Sequence, residues 1–361
     1  MTKKRIQADL NRLFGTIMGV AQGACPAEVG LPSQPIEYAD WTAPARMDLA
    51  LTYRCNLRCP KCYLPAANNI SELPAQEWKQ ILAILWKLGI PQVVFTGGEP
   101  TLRDDLIDLV KAADHFVTGL VTNGTTLVEL ATPLHEASLD YAQVTIESDD
   151  PEVHDRMTTV SGSHARTTAG IRQALATGLQ VVTNTTLTKE NGSGFPRTLR
   201  WLAEIGVRHI ACNTLICSGR GIRFREEQGL TDEELQPILR AACAEAGKLD
   251  VVLQWYSPTC YSQGINPLEL GFGAKSCSAA AHNMTIQPDG SVLPCQSWPG
   301  TVGNILTDEW PAIWNHPTCR ALRSHLHQPA ECRDCTYVST CGGGCPLDNA
   351  PRRPAGEGGR S

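Results

Sequence analysis

The sequence predicts an α/β protein: a partial (β/α)6 barrel of parallel strands, followed by a small, loop-rich, cysteine-rich C-terminal domain. Two observations predict it. Between Met47 and about Asn213, β-like runs alternate with segments of helical periodicity, the pattern of βαβ units whose strands form a parallel sheet covered by helices. From Gly264 onward that periodicity weakens while the cysteines concentrate.

Residues 1–46 form an N-terminal extension, in which the amphipathic run Ile6–Val20 reads as a helix docked on the domain rather than on a membrane surface. Residues 47–230 make the barrel, with strands at Met47–Tyr53, Gln92–Thr96, Thr118–Thr122, Tyr141–Ile146, Gln180–Thr186 and Arg208–Asn213. Pro74–Leu88, Asp104–Ala113, Thr167–Thr177 and Pro196–Ile205 read as helices between them, each closed by a glycine or a polar turn. In such open sheets the chemistry sits at the carboxyl ends of the strands. A polar stretch rich in Arg and Gly, Ser218–Gly229, comes next. Residues 231–263 supply a linking strand and a linking helix, Thr231–Gly247, where Thr231 and Glu234 are placed for a capping box. Within residues 264–348, Met284–Pro288 and Val292–Pro294 flank Asp289-Gly290 as a β-hairpin, and a short helix falls near Asp308–Asn315. The tail, residues 349–361, is rich in Pro, Gly and Arg and reads as disordered.

Composition narrows the function. With 31 Lys and Arg against 37 Asp and Glu, the net charge is -6, and no basic run is present to neutralise phosphates, so nucleic acid is not an expected partner. No apolar stretch approaches the length of a membrane span, and the start lacks the apolar core of a signal peptide. The expectation is a cytoplasmic protein without membrane contact. There thiols stay reduced, so the 15 cysteines point to metal sites rather than disulfides. Three lie between Cys55 and Cys62 and four between Cys332 and Cys345, which makes two metal-binding regions.

Cys55-Asn-Leu-Arg-Cys59-Pro-Lys-Cys62-Tyr63 follows directly on the first strand, so its thiols project at the catalytic end of the barrel. Three thiolates cannot saturate four irons, which leaves one iron open to a bidentate ligand. Gly97-Gly98-Glu99-Pro100 follows the second strand, where two glycines let the backbone approach a ligand and the Glu99 carboxylate can accept from a cation. With these motifs in this strand order, the chain resembles the radical S-adenosylmethionine (SAM) superfamily over roughly Met47–Leu215. The resemblance implies that Cys55, Cys59 and Cys62 hold a [4Fe-4S] cluster whose open iron is chelated by the amino and carboxylate groups of SAM. One electron then cleaves SAM to a 5′-deoxyadenosyl radical, which removes hydrogen from the substrate. It also implies SAM contacts from Gly97, Gly98, Glu99, Pro100, Asn123 at the end of the third strand and Ser148 at the end of the fourth. A flavodoxin, a ferredoxin or a reductase is the implied electron donor. Asn184 and Thr186 read as a solvated strand end.

Cys277, Gly290-x4-Cys295 and Cys332-x2-Cys335-x5-Cys341-x3-Cys345 resemble the SPASM extension of radical SAM enzymes. That resemblance implies one or two auxiliary iron–sulfur clusters, one at Cys277, Cys295 and Cys345 and the other at Cys332, Cys335 and Cys341. Each set counts only three cysteines, and none follows Cys345 in the sequence. Cys260 or His282 is the expected fourth ligand of the first set, and Cys319 or Asp348 that of the second, unless an iron stays open. Such clusters either accept an electron from a substrate radical or serve as structure. Cys25, Cys212, Cys217 and Cys243 have no partners at ligand spacing and read as buried, unreactive thiols.

Substrate signals are weaker. Sulfatase-activating relatives place an Asp after the cysteine of Gly-x4-Cys, whereas this chain has Gln296, which cannot take a proton. Arg220, Arg223 and Arg225 read as a solvated loop, and Trp255, Tyr256, Tyr261 and Trp298 as packing between domains. The 46 residues before the first strand fall short of the roughly 80 that the winged-helix domain of many peptide maturases needs. The leading expectation is oxidative modification of a ribosomally made peptide by hydrogen abstraction. Its rivals are the same chemistry on a small molecule such as a porphyrin or a sugar, and a non-catalytic iron–sulfur electron carrier.

Overall fold

In a computed structural model of the chain, the described residues are 15, 16, 18, 41–64, 70–262 and 264–349. The chain divides into two units, Met1–Trp41 and Thr42–Ser361. In the first, the helix expected over Ile6–Val20 is described only at Gly15, Thr16 and Met18, which are helical; Cys25 and the tail beyond Asn349 also lie outside the described residues. The second unit contains both cysteine-rich regions.

The frame of this second unit is one sheet of ten strands in the order β10-β9-β8-β1-β2-β3-β4-β5-β6-β7, with two free edges, so the barrel is open. The strands are β1 Arg46–Thr52, β2 Gln92–Gly97, β3 Val117–Thr122, β4 Tyr141–Thr145, β5 Gln180–Leu187, β6 His209–Thr214, β7 Val252–Trp255, β8 Asn283–Ile286, β9 Ser291–Leu293 and β10 Gly303–Asn304. The first six fall where the sequence places them. β7, expected only as a linker strand, pairs parallel to β6. β8 and β9 form the hairpin expected around Asp289-Gly290, yet β8 also pairs parallel to β1, from Arg46↔Asn283 to Leu49↔Ile286. All four β8 residues are buried, as in a strand covered on both faces. The cysteine-rich region is thus hydrogen-bonded into the barrel's own sheet.

Helices pack outside the strands. The Ala75–Lys87 helix buries Trp78, Ile81, Leu82 and Leu85, each contributing about 1.5–3 kcal/mol by leaving water. The Asp232–Ala246 helix begins with the expected capping box, Thr231 and Glu234 each accepting from the other's amide. Gly221–Gln228, read from sequence as a polar stretch, is a helix, and so are Leu127–Glu136 and Pro151–Thr158. Among the described residues no helix is long and apolar enough to cross a membrane.

The Leu127–Glu136 and Ser163–Ala176 helices meet at Gly170, where a Cβ would lie 2.1 Å from the Gly124 carbonyl oxygen. That backbone begins the loop after β3 and cannot yield cheaply. Gly170→Ala is expected to destabilise the protein by about 1–3 kcal/mol through overpacking, read as a lowered urea midpoint. An unchanged midpoint would show that the two helices can part without cost.

Candidate active site

The three-cysteine loop leaves the carboxyl end of β1 and is held from three sides. The Gly98 amide donates to the Thr52 carbonyl at 2.7 Å and the Glu99 amide to the Arg54 carbonyl at 2.8 Å, so the β1–β2 ladder continues into the loop. A Cβ on Gly97 (φ 136°) would sit 2.1 Å from the Thr52 oxygen, and one on Gly98 2.3 Å from that of Arg54. The glycine pair is therefore demanded by the cysteine loop itself, where the sequence alone suggested approach to a ligand. On the other sides, the Arg58 amide donates to Thr158 at 3.1 Å and the Gly221 amide to the Cys62 carbonyl at 3.1 Å. Tyr63 donates its hydroxyl to the Gly97 carbonyl at 3.2 Å.

Cys55 is exposed while Cys59 and Cys62 are half-buried. Burial pushes the Cys59 thiol up to about 12 against the pull of Lys61, and the thiols of Cys62 and Cys55 are near enough to raise it further. Cys55 accepts from the Leu57 amide at 3.4 Å and lies 4.0 Å from the Asn123 side-chain amide. These are three neighbouring thiols with donors aimed at sulfur. Among the described residues no three His, Cys, Asp or Glu side chains close to a single-ion shell. Three neighbouring thiols on one loop are the donor set of a cluster that keeps one iron open.

Glu99 is fully buried. Its Oε1 accepts from the Thr101 amide and hydroxyl at 3.2 and 2.6 Å and from the Thr122 hydroxyl at 2.7 Å; Oε2 accepts only from the Asn123 amide, at 2.7 Å. Oε2 thus keeps acceptor capacity for a cationic group, although most of the carboxylate ties β2 to β3. Pro100 opens a buried turn over Pro100–Leu102. The Asn123 side chain donates to Asn56 Oδ1 at 2.7 Å, which places it beside the cysteine loop. Ser148, buried, accepts from the Asp150 amide at 3.0 Å, a turn-closing role that leaves its hydroxyl proton free for one acceptor.

Two functional residues escaped the sequence reading. Lys61, between Cys59 and Cys62, makes a 2.5 Å ion pair with Glu147 at the end of β4; their side chains are 9% and 0% exposed. Lys61 also donates to the Thr186 hydroxyl at 3.1 Å. Thr186 is therefore a buried partner of the loop rather than a solvated strand end, because β4 and β5 deliver Glu147 and Thr186 side by side. The Glu147 amide donates to His154 Nδ1 at 3.1 Å. Of the arginines read as solvated, Arg225 pairs with Asp348. Trp255 packs in the core, stacked on Phe272.

The C-terminal cysteines form two neighbourhoods. Cys295, pushed up to about 12 by burial, has Cys277 as its thiol neighbour, and Cys345 has Asp348, Cys277 and Cys295. Cys332 has Cys260, Cys341 and Cys335. The expected fourth-ligand candidates thus change places: Asp348 lies with the Cys277 set and Cys260 with the Cys332 set. Cys319 is fully buried beside Arg323, and His282 has Arg46 as its charged neighbour. Leu293 pairs with Thr285, which pairs with Asp48, so Cys295 lies below the Cys55 loop, level with the amino-terminal half of β1. Ser218 bridges the two loops, its hydroxyl 3.3 Å from the Tyr63 carbonyl and 2.8 Å from that of Ser297.

Comparison with known proteins agrees with this geometry. Residues 49–202 match the radical SAM superfamily and residues 277–336 the SPASM iron–sulfur cluster-binding domain. The chain is 28% identical over 332 residues to the PqqA peptide cyclase of Ruegeria pomeroyi, covering 87% of this chain and 86% of that protein. It is 27% identical over 321 residues to the pre-heme d1 synthase of Dinoroseobacter shibae, covering 81% and 79%. Among solved structures, Streptococcus suis SuiB bound to its precursor peptide SuiA shares the fold, with a TM-score of 0.70 at 17% identity over 85% of this chain and 73% of that one.

Lys61→Met strands the buried Glu147 charge and is expected to cost about 3–5 kcal/mol, whereas Lys61→Met with Glu147→Gln recovers most of it. Urea midpoints of the three proteins check this, and equal losses in the single and double variants would refute the pairing. His154 is held near 3 by burial and by His164, far below its ordinary 6.5, and only neutral Nδ1 accepts from Glu147. Its stabilising effect is complete above pH 6.5 and is lost as pH falls toward the folded-state value, with a slope approaching about 1.4 kcal/mol per pH unit. Between pH 7 and 5 the urea midpoint should fall more steeply for wild type than for His154→Asn, which keeps an acceptor without a titrating ring. Parallel curves would assign the acid sensitivity elsewhere.

Proposed function

Because this chain is a radical SAM enzyme with a SPASM extension, we propose that it oxidatively modifies a peptide by abstracting a hydrogen atom from it. When bound, the [4Fe-4S] cluster and SAM supply the one-electron chemistry that removes the hydrogen. The chain's own residues do the rest. Cys55, Cys59 and Cys62 hold the cluster, and Lys61 and Glu147 fix the loop that carries them. Asn123 and the free face of Glu99 Oε2 offer polar contacts to SAM.

One observation carries the oxidative reading: two further thiol sets lie in the same folded unit as the initiating loop, and one of them reaches that loop through Ser218. Clusters there give an electron released by an oxidised substrate somewhere to go. The peptide reading draws support from the similarity to PqqA peptide cyclase and from a fold shared with a maturase crystallised with its precursor peptide. The near-equal similarity to pre-heme d1 synthase favours a second reading, a tetrapyrrole substrate. A flavodoxin or ferredoxin is the donor we expect to reduce the first cluster.

Anaerobically reconstituted protein with SAM and dithionite is expected to form 5′-deoxyadenosine, and the Cys55→Ala, Cys59→Ala, Cys62→Ala protein to form none. Incubation with peptides encoded by short reading frames beside the gene, carrying deuterium, is expected to transfer deuterium to 5′-deoxyadenosine and leave the peptide short of two hydrogens. Transfer from a tetrapyrrole but from no peptide would overturn the peptide reading while leaving the radical chemistry intact.

A further inference from the structure

Cys260 lies in the segment that follows β7, well outside the Cys332–Cys345 run, and the fold brings the two together. The Cys341–Cys345 turn passes so close that a Cβ on Gly344 (φ 79°) would lie 3.5 Å from the Cys260 amide nitrogen and 3.6 Å from the Thr259 carbonyl carbon. The next residue, Tyr261, is buried with its ring centroid 5.9 Å from that of Tyr337, which sits between Cys335 and Cys341. Tyr261 is itself fixed, its hydroxyl donating to the Lys275 carbonyl at 3.0 Å. Thr259 donates to the Ile265 carbonyl at 3.2 Å. Both neighbours of Cys260 are therefore anchored, and the thiol between them is half-buried, with the Ser262 hydroxyl 3.5 Å away as its hydrogen-bonding partner among the described residues. Cys260 is also a thiol neighbour of Cys332, as Cys341 and Cys335 are. The other candidates are engaged elsewhere: Asp348 by Arg225 beside Cys345, and Cys319 beside Arg323.

We propose that Cys260 is the fourth thiolate of the Cys332, Cys335 and Cys341 site, which then holds a [4Fe-4S] cluster ligated entirely by cysteine. A cubane with four thiolates has no iron open to substrate, which restricts this site to electron transfer or structure. The Cys277, Cys295 and Cys345 site has Asp348 beside it, and Arg225 joins Asp348 to the Cys217 thiol on that side. None of this depends on whether the substrate is a peptide.

Thiol footprinting of the anaerobic holoprotein tests the assignment. Iodoacetamide followed by peptide mass spectrometry is expected to leave Cys260 unmodified alongside Cys332, Cys335 and Cys341, and to modify all four once the clusters are removed by chelator and oxidant. Cys260→Ala is expected to lose about four irons per chain, or to retain a labile cluster that oxidation strips of one iron, at four irons per cubane. In that variant Cys332, Cys335 and Cys341 become reactive while Cys277, Cys295 and Cys345 stay protected, and SAM binding is retained. If Cys260→Ala does not fold, the wild-type footprint and Cys260→Ser, which keeps a weak ligand, still decide. Ready alkylation of Cys260 in fully loaded protein would overturn the proposal, and so would deprotection of Cys277, Cys295 and Cys345 in its place.

Discussion

The buried carboxylate of Glu99 is the constraint on which the initiating site depends. A carboxylate taken wholly out of water costs several kcal/mol unless its lone pairs are filled, and here the Thr101, Thr122 and Asn123 donors fill all but part of Oε2. Burial still raises its pKa, so the donors offset the lost hydration only in part. A cation arriving at the remaining face of Oε2 would complete the compensation. The same turn presents the Gly98 and Glu99 amides to the cysteine loop, so one residue's solvation problem sets the geometry of β2, β3 and the loop after β1 together.

A second buried charge works from the opposite side. Lys61 and Glu147 are buried, where either charge alone would be a large penalty, and their mutual contact fixes the stretch between Cys59 and Cys62 against β4 and β5. Positive charge beside Cys59 also favours its thiolate, the form that binds iron. His154 extends the arrangement by accepting from the Glu147 amide while remaining neutral. The loop is thus clamped between two polar assemblies at neighbouring strand ends, with Cys55 on the open side.

Much of this was legible in the sequence, and the features that were not share a physical reason. Six strands, most of the helices between them and the Thr231 capping box follow from periodicity and cap chemistry, which are local. The cysteine triplet and the Gly-Gly-Glu turn announced the site because their spacing is local too. Lys61 looked like loop filler because its partner arrives from β4, and no local pattern marks a lysine whose charge is buried by a distant strand. The pairing of β8 with β1 was hidden for the same reason: a four-residue run that alternates polar and apolar, Asn-Met-Thr-Ile, fits a surface hairpin as well as a sheet. Assigning Cys260 to the first auxiliary set and Asp348 to the second followed their order along the chain, and tertiary packing reverses it.

The sheet also shows how differently the two halves are built. β1 to β6 are joined by continuous parallel ladders and covered by helices, so the barrel has a core of its own. Beyond β10 the described elements are short helices and turns around cysteines, with three consecutive glycines at Gly342–Gly344 all at positive φ. Burial raises the thiols there at Cys345 and Cys332. The C-terminal region meets the initiating site through β8, through the Ser218 bridge and through the Gly221–Gln228 helix, whose Gly221 amide donates to the Cys62 carbonyl while its Arg225 pairs with Asp348.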